Sequence, residues 1–384
     1  MISLNSFLFT LVLFGAPLVL IPRSPWRNLI FLALNLVIYA FTITEPTQAL
    51  VALLWIILPY FLSKIIKKPS VLIIPLVIGF IYLNRYGWIV ESLGIPYLFM
   101  FRLFGLSYIL FRQIDFILNR SMIAPQRITL VDYLNYLLSF YTLLAGPLLN
   151  YETFIEHFYH PLALDKAQIY KSLNRIFTGY IKVFILSALF SMVSKNAYRE
   201  LQSGFAFLPL LSLAITNTFF IYFNFSGYCD VVIGAGRLAG FTIDENFDKP
   251  YLSQDISDFW SRWHMSLTHW ITAYVFTPLV KWMIRYEWIS MNMAQYMAFI
   301  ITFMIAGLWH GTTMNYIVYG LLQAIGVALS KGYADLMSKK LGGKKALREY
   351  RKRPLVRVIE IGVTLCYVGF SLVFVGFDIL ALLN

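Results

Sequence analysis

The chain has 384 residues, of which 59% are hydrophobic and only 13% charged, and its mean hydropathy is +0.69. An ordinary soluble domain carries roughly 25% charged residues, so this composition excludes a soluble enzyme, a disordered chain and a secreted disulfide scaffold. Lys and Arg (31) outnumber Asp and Glu (19), for a net charge of +12; in a membrane protein that excess reads as loop topology, with no nucleic-acid partner.

The expected fold is an all-α polytopic membrane protein in a single domain, residues 1–384. A spanning helix needs roughly 20 apolar residues. In chain order, candidate crossings fall at 3–22, 27–43, 48–65, 71–90, 96–118, 130–148, 174–194, 207–225, 265–283, 293–309, 313–331 and 357–378. That gives about ten to twelve crossings, some of them re-entrant. No Lys or Arg precedes the first apolar run, so it reads as a retained helix and not a cleaved signal. The stretch from Asn150 to Asp165 is too polar to cross and reads as a helix lying in the interface.

Basic residues set the expected orientation. Lys64, Lys67 and Lys68 follow the third span, and Arg112, Arg120 and Arg127 follow the fifth. The densest cluster runs from Lys331 to Arg357, with Lys331, Lys339, Lys340, Lys344, Lys345, Arg348, Arg351, Lys352, Arg353 and Arg357 opposed only by Asp335 and Glu349. These loops are expected on the cytoplasmic side of an inner or plasma membrane, with both termini on the other side. The +8 cluster would also suit anionic lipid or an acidic partner.

Polar interruptions of the apolar runs mark the places where chemistry is expected, because ionisable groups at membrane depth cost several kcal/mol. His157 and His160 lie three apart beside Glu152 and Glu156, a pattern read as a solvated helix; no metal site is expected. The run Asn224 to Asp230 holds Ser226, Tyr228, Cys229 and Asp230, and Gly236 with Gly240 forms a GxxxG suited to close helix packing. Cys229 has no basic neighbour to activate it. In Phe259 to Leu267, Asp258 and Arg262 sit four apart and can pair on a helix. Trp260 and Trp263 read as interface anchors, and His264 as lying just inside the membrane. His310, in Ala-Gly-Leu-Trp-His-Gly, ends one apolar run and precedes another. A neutral imidazole there is suited to take a proton near neutral pH. A buried histidine bonded to a carbonyl is the other reading of the same residue. No HExxH, GxSxG or Walker loop is present.

Together these segments resemble the membrane-bound O-acyltransferase family, in the bacterial branch of the D-alanyl transfer protein of teichoic-acid modification and the alginate O-acetylase. The likeness is carried by YFNFSGYCDVVIGAGRLAGFTIDENFDKPYLSQDISDFWSRWHMSLTHW (Tyr222–Trp270) and AGLWHGTTMNYIVYG (Ala306–Gly320). It continues in LLAGPLLNYETF (Leu143–Phe154) and GLSYILFRQID (Gly105–Asp115). It covers 101–378 as the family core, with 1–100 as variable N-terminal helices.

The resemblance implies a ring of tilted and re-entrant helices around a thin central tunnel. It implies a multi-pass enzyme moving a short acyl group, D-alanyl or acetyl, to hydroxyls of a cell-envelope polymer. The donor would be a cytoplasmic thioester, on carrier-protein phosphopantetheine or as acetyl-CoA, with no cofactor bound to the chain itself. An accessory membrane or extracytoplasmic acyltransferase would be a further partner, besides membrane lipid.

In this reading His310 is the general base and His264 positions it or relays the proton. Trp309, Trp263, Arg262, Asn315, Ser226, Tyr228 and Asp230 contact substrate or line the tunnel. The chain departs from the family at Thr272 and Ala273, where relatives usually show Arg-Asp, and at Cys229, where a Ser is usual. The alternative from another class is a transporter or flippase that uses the same buried histidines as a proton relay.

Overall fold

The computed structural model describes residues 26–40, 43, 45–83, 93–94, 105–123, 128–143, 145–204, 206–285 and 289–382. The expected first helix, 3–22, and parts of 71–90 and 96–118 lie outside them, as does Arg127. The described residues are overwhelmingly helical. They hold no strand, only an antiparallel bridge between Phe247 and Trp263. The expectation of an all-α polytopic protein holds.

Among the described residues, six helical runs are long and apolar enough to cross a bilayer: Pro46–Ile65, Lys166–Ser203, Phe207–Leu238, Met291–His310, Met314–Leu341 and Pro354–Leu372. Most of each run's apolar length faces outward. Leu53, Leu54, Leu58 and Phe61, for example, are all exposed. A soluble protein rarely exposes apolar surface in such continuous patches, whereas lipid solvates it.

Residues form two compact units, 1–180 with 227–244, and 181–226 with 245–384. The first unit holds α1 (Arg27–Ala40), α2 (Pro46–Ile65), α3 (Pro69–Leu83), α4 (Leu106–Asn119), α5 (Leu130–Leu138), α6 (Tyr151–Tyr159) and α7 (Lys166–Tyr180). Its core is aromatic: Phe31 is fully buried among Phe140, Tyr141, Phe154, Phe158 and Phe241, with ring centroids 5.3–6.5 Å away.

The polar core beside it corrects the loop assignment of Arg112. That residue is 2% exposed inside α4, and its guanidinium donates to the carbonyls of Tyr136, Leu137 and Thr142 and to the Thr142 hydroxyl. A buried cation must have its donors satisfied, and the carbonyls freed where α5 stops after nine residues supply the acceptors. The segment 130–148 is therefore not one crossing, since α5 gives way to a turn at Phe140–Thr142.

The stretch expected to lie in the interface forms α6, whose apolar face is buried inside the first unit. The Asn150 side chain accepts from the Thr153 N–H at 2.7 Å and starts it, and Tyr151, Phe154, Ile155 and Phe158 are its buried face. A cap of this kind satisfies one of the orphan donors of a first turn.

In the second unit, α8 (Ser187–Ser203), the first part of α9 (Phe207–Leu238), α10 (Ile256–Arg262), α11 (Met265–Ile271), α12 (Thr277–Ile284), α13 (Met291–His310), α14 (Met314–Leu341), α15 (Lys344–Arg351) and α16 (Pro354–Leu372) pack together. Trp260 and Trp263, expected as interface anchors, are core residues, 9% and 6% exposed. The Trp260 indole donates to Gln323 Oε1 at 3.0 Å, and Gln323 Nε2 donates to Ser371 Oγ at 2.6 Å. That chain ties α10, α14 and α16 through the apolar interior.

The basic cluster is mostly helix, the end of α14 and α15. Arg351 bonds Asp255 at 2.7 Å and lies 3.2 Å from Glu360. Lys331 pairs with Asp335, and Lys352 with Glu349, each at 2.7 Å. Folding therefore brings two further carboxylates to a cluster that seemed opposed by only two.

The predicted GxxxG contact also moves. Gly240 sits at φ +81 after the last turn of α9, a helix-ending conformation that favours glycine. Close helix approach occurs instead at Gly179 and Gly234, both in the first unit. A Cβ on Gly179 would lie 2.6 Å from the Gly227 carbonyl oxygen, and one on Gly234 would lie 2.8 Å from the Ser172 carbonyl oxygen.

Candidate active site

The second unit assembles the two histidines of the sequence reading around one indole. His310 is the last residue of α13, and its ring lies 4.6 Å from that of Trp309. The His264 ring lies 6.4 Å from the same Trp309. Tyr319 meets His310 edge-on at 5.6 Å and 83°.

Two glycine contacts set His310 in place. A Cβ on Gly307 would press on the Tyr316 carbonyl oxygen and lie 3.1 Å from the Gly320 Cα. A Cβ on Gly311 would run into the Tyr316 ring. Gly307 and Gly320 let α13 and α14 approach backbone to backbone. On another face of α13 the buried stripe Ala294, Ala298, Thr302 and Ala306 runs at four-residue spacing, with Ala294 and Ala298 packed against Val280 and Met283 of α12.

His310 opens into a cavity of about 280 Å³. Its wall is mainly apolar, with Trp260, Phe276, Phe299 and Phe303, and its polar atoms come from Ser257, Thr268, Thr272, Thr302 and His310. The Thr302 hydroxyl is buried with no hydrogen-bond partner among the described residues. A buried hydroxyl left unpaired costs on the order of 1–3 kcal/mol. Thr272, the position of the departure noted above, stands on the cavity wall at the start of a π-helical turn, Thr272–Phe276. Such turns are frequent at functional sites.

His264 does not line this cavity. It is 4% exposed, and its Nδ1 is 3.3 Å from Asn246 Oδ1. The same oxygen accepts from the Ser266 N–H at 3.1 Å and the Ser266 hydroxyl at 2.9 Å, while the Asn246 carbonyl accepts from the Met265 N–H at 3.0 Å. These bonds hold His264 at φ +44, in the left-handed region. The Phe225 ring closes its other side edge-on at 4.7 Å. Beside it, Ser226 is buried and its hydroxyl has no partner among the described residues.

The remaining predicted residues are placed as follows. Arg262 pairs with Asp258 at 2.7 Å, as its spacing foretold, and with Asp248 at 3.4 Å. The bond to Asp258 raises its pKa further. Trp263 stacks on Phe259 at 5.2 Å and bridges Phe247 through its backbone. Both ends of the Asn315 amide meet the C-terminal segment: Nδ2 donates to Asp378 at 2.7 Å, and Oδ1 accepts from the Leu380 N–H at 3.3 Å. Tyr228 and Asp230 belong to the first unit. There Asp230 pairs with Arg175 at 3.0 Å and Tyr228 is buried against Gly146.

His157 and His160 form no metal cluster. None of three or more potential ligands exists among the described residues. Cys229 and Cys366 are free thiols.

Sequence reasoning passed over Asn246, Thr302 and Tyr319. Thr302 had a signal, because it lies two four-residue steps before His310 on the same helix. Asn246 had none, since its partners follow 18 to 20 residues later.

A multi-pass helical chain that sets an imidazole in the wall of an apolar, hydroxyl-dotted cavity fits a membrane-embedded enzyme, and the comparisons with known proteins decide between that and a transporter. The model of the membrane-bound O-acyltransferase family matches residues 82–341, more than half the chain. The chain therefore belongs to that family, whose members are acyltransferases, and acyl transfer replaces the transporter alternative.

Three relatives agree with this. A teichoic acid D-alanyltransferase from Streptococcus thermophilus is 30% identical over 289 residues, 71% of this chain and 68% of its own. A probable alginate O-acetylase from Pseudomonas fluorescens is 28% identical over 340 residues, 86% of this chain and 66% of its own. A peptidoglycan O-acetyltransferase from Helicobacter pylori is 29% identical over 218 residues, 54% of this chain and 39% of its own.

Proposed function

We propose that this enzyme moves a short acyl group, D-alanyl or acetyl, from a cytoplasmic thioester to hydroxyls of an extracytoplasmic envelope polymer, with His310 as the general base. The observation that carries this reading is the His310 imidazole on the wall of the 280 Å³ cavity. The relatives act on teichoic acid, alginate and peptidoglycan by name, which supports an envelope polymer as acceptor.

In the proposed reaction the imidazole accepts the acceptor hydroxyl's proton as the oxygen attacks the thioester carbonyl. The tetrahedral intermediate collapses, the carbon–sulfur bond breaks, and the departing thiolate takes the proton back from His310. The products are an ester and a free thiol, with no acyl-enzyme. Backbone N–H groups of the first turn of α14, four residues past His310, or the Asn315 amide would stabilise the oxyanion.

His264, one indole away, is a positioning residue in this scheme. Trp309, Trp263, Arg262, Ser226, Tyr228 and Asp230 remain tunnel and substrate candidates. The donor is a carrier protein bearing phosphopantetheine, or acetyl-CoA. The lysines and arginines of α15 that form no ion pair among the described residues suit an acidic carrier on the cytoplasmic face of an inner or plasma membrane, with the termini opposite. An accessory acyltransferase partner fits the same scheme.

The test is a paired one. Wild type and His310→Ala are purified, shown to be folded, and given labelled D-alanyl-carrier, acetyl-carrier or acetyl-CoA with envelope polymer. Transfer by wild type alone supports the reading and names the donor. Equal transfer by both would refute His310 as the base.

A further inference from the structure

A second pocket, in the first unit, has a different chemistry. It encloses about 190 Å³ and is lined by Leu162, Gln168, Lys171, Ser172 and Arg237. Gln168, Lys171 and Ser172 share one face of α7, at the i, i+3, i+4 spacing of a helix. Arg237 lies one turn beyond Gly234 on α9. The bare Gly234 lets α9 come close, because a Cβ there would lie 2.8 Å from the Ser172 carbonyl oxygen. The third wall is the loop before α7, fastened where the Leu162 N–H donates to the Gly240 carbonyl at 3.0 Å.

At the floor, Ser172 is 1% exposed and its hydroxyl has no hydrogen-bond partner among the described residues. No carboxylate lines the pocket. Asp165, before α7, accepts from the Gln168 N–H at 2.7 Å, and Asp230 on α9 pairs with Arg175 at 3.0 Å. Two cations, an amide and an orphan hydroxyl thus converge on a space the size of a phosphate group with its substituents. The pocket lies at the polar start of the spanning run Lys166–Ser203. Beside it, Ile169, Leu173 and Phe177 form an exposed apolar stripe at four-residue spacing, 37%, 53% and 63% exposed.

We propose that this pocket binds the headgroup of an anionic phospholipid. The phosphodiester would accept from Lys171, Arg237, Gln168 and the Ser172 hydroxyl, and the acyl chains would lie along Ile169, Leu173 and Phe177. A free phosphate would use the cations but leave the stripe uncovered, so the stripe favours a lipid. Basic pockets between membrane helices are a known setting for such headgroups.

The full-length protein is exchanged into detergent with phosphatidylglycerol or phosphatidylcholine, and the retained lipid is counted by native mass spectrometry. Four forms are compared: wild type, Lys171→Gln with Arg237→Gln, Ser172→Val, and a control with Lys195→Gln and Arg199→Gln. The control removes the same charge near the far end of the helical run. Wild type and the control are expected to retain phosphatidylglycerol over phosphatidylcholine. The double variant is expected to lose about ten-fold or more of that retention, and Ser172→Val a smaller part of it without any change of charge. Equal retention in all four forms, or equal loss in the control, would overturn the proposal. So would displacement of the lipid by millimolar inorganic phosphate, which would make the site one for free phosphate. If the double variant does not fold, Ser172→Val and the single Lys171→Gln decide by the same readout.

Discussion

Gly307 of α13 and Gly320 of α14 meet with no side chain between them, so that a Cβ on the first would lie 3.1 Å from the Cα of the second. The contact lies one turn before His310, and the spacing of the two helices there fixes where the imidazole points. Gly307→Ala would push the added methyl onto the Tyr316 carbonyl, which is backbone and cannot swing aside. A fall in the thermal midpoint and a loss of transfer are expected together. Gly362→Ala meets open space. Relieving a glycine inside a helix contributes about 0.5–1 kcal/mol, so that variant is expected to be neutral or stabilising. A thermal melt in detergent, run beside the transfer assay, distinguishes the two.

The role of the imidazole makes a kinetic prediction. Proton transfer by a positioned base contributes typically about 10²–10⁴-fold. His310→Ala is expected to lower kcat by that order with little change in donor binding. A form with unchanged kcat would remove His310 from the mechanism.

Thr302 separates function from stability. Its side chain lines the cavity, and its hydroxyl is buried with no hydrogen-bond partner among the described residues. Thr302→Val keeps the shape and removes an orphan polar group, so the thermal midpoint should hold or rise. If the hydroxyl serves the substrate, kcat/KM falls several-fold in the same variant. A rise in stability with full activity would mean that the hydroxyl contacts nothing in the reaction.

Asn246 is expected to matter through His264. Removing its amide leaves the Ser266 N–H, the Ser266 hydroxyl and His264 Nδ1 without their shared acceptor. A buried donor left unpaired costs about 1–3 kcal/mol. Asn246→Ala should therefore lower the melting point and reduce transfer, and Asn246→Asp, which keeps an acceptor oxygen, should recover much of both. If Asn246→Ala transferred acyl groups as well as wild type, the positioning role of His264 would fall.

The interior of the second unit gives a stability prediction. Trp260→Phe removes the donor to Gln323 but leaves the ring, so the Gln323–Ser371 bond loses its anchor. A destabilisation of about 1–2 kcal/mol is expected, measured by urea or thermal unfolding in detergent. A variant as stable as wild type would show that the buried chain of amide and hydroxyl does not hold α10, α14 and α16 together.

Hydropathy and local spacing already contained the helical, membrane-spanning class of this chain. They contained most of its long helices, a short helix in the stretch after Asn150 and the Asp258–Arg262 pair. Each of these is a property of neighbours along the chain: an apolar run, a polar amphipathic stretch, a pair one turn apart. Tertiary structure decided what depends on distant segments meeting. It buried Trp260 and Trp263 where an interface was expected, and took Arg112 out of a loop into a cage of carbonyls. It also shifted the close helix contact from Gly236 and Gly240 to Gly179 and Gly234, and lined one cavity with Thr302 and His310. An indole, a guanidinium or a glycine has no intrinsic address. Whether it meets lipid, water or another backbone is set by partners far along the chain, 24 residues away for Arg112 and Tyr136 and 63 for Trp260 and Gln323, and no local window along the sequence spans that distance.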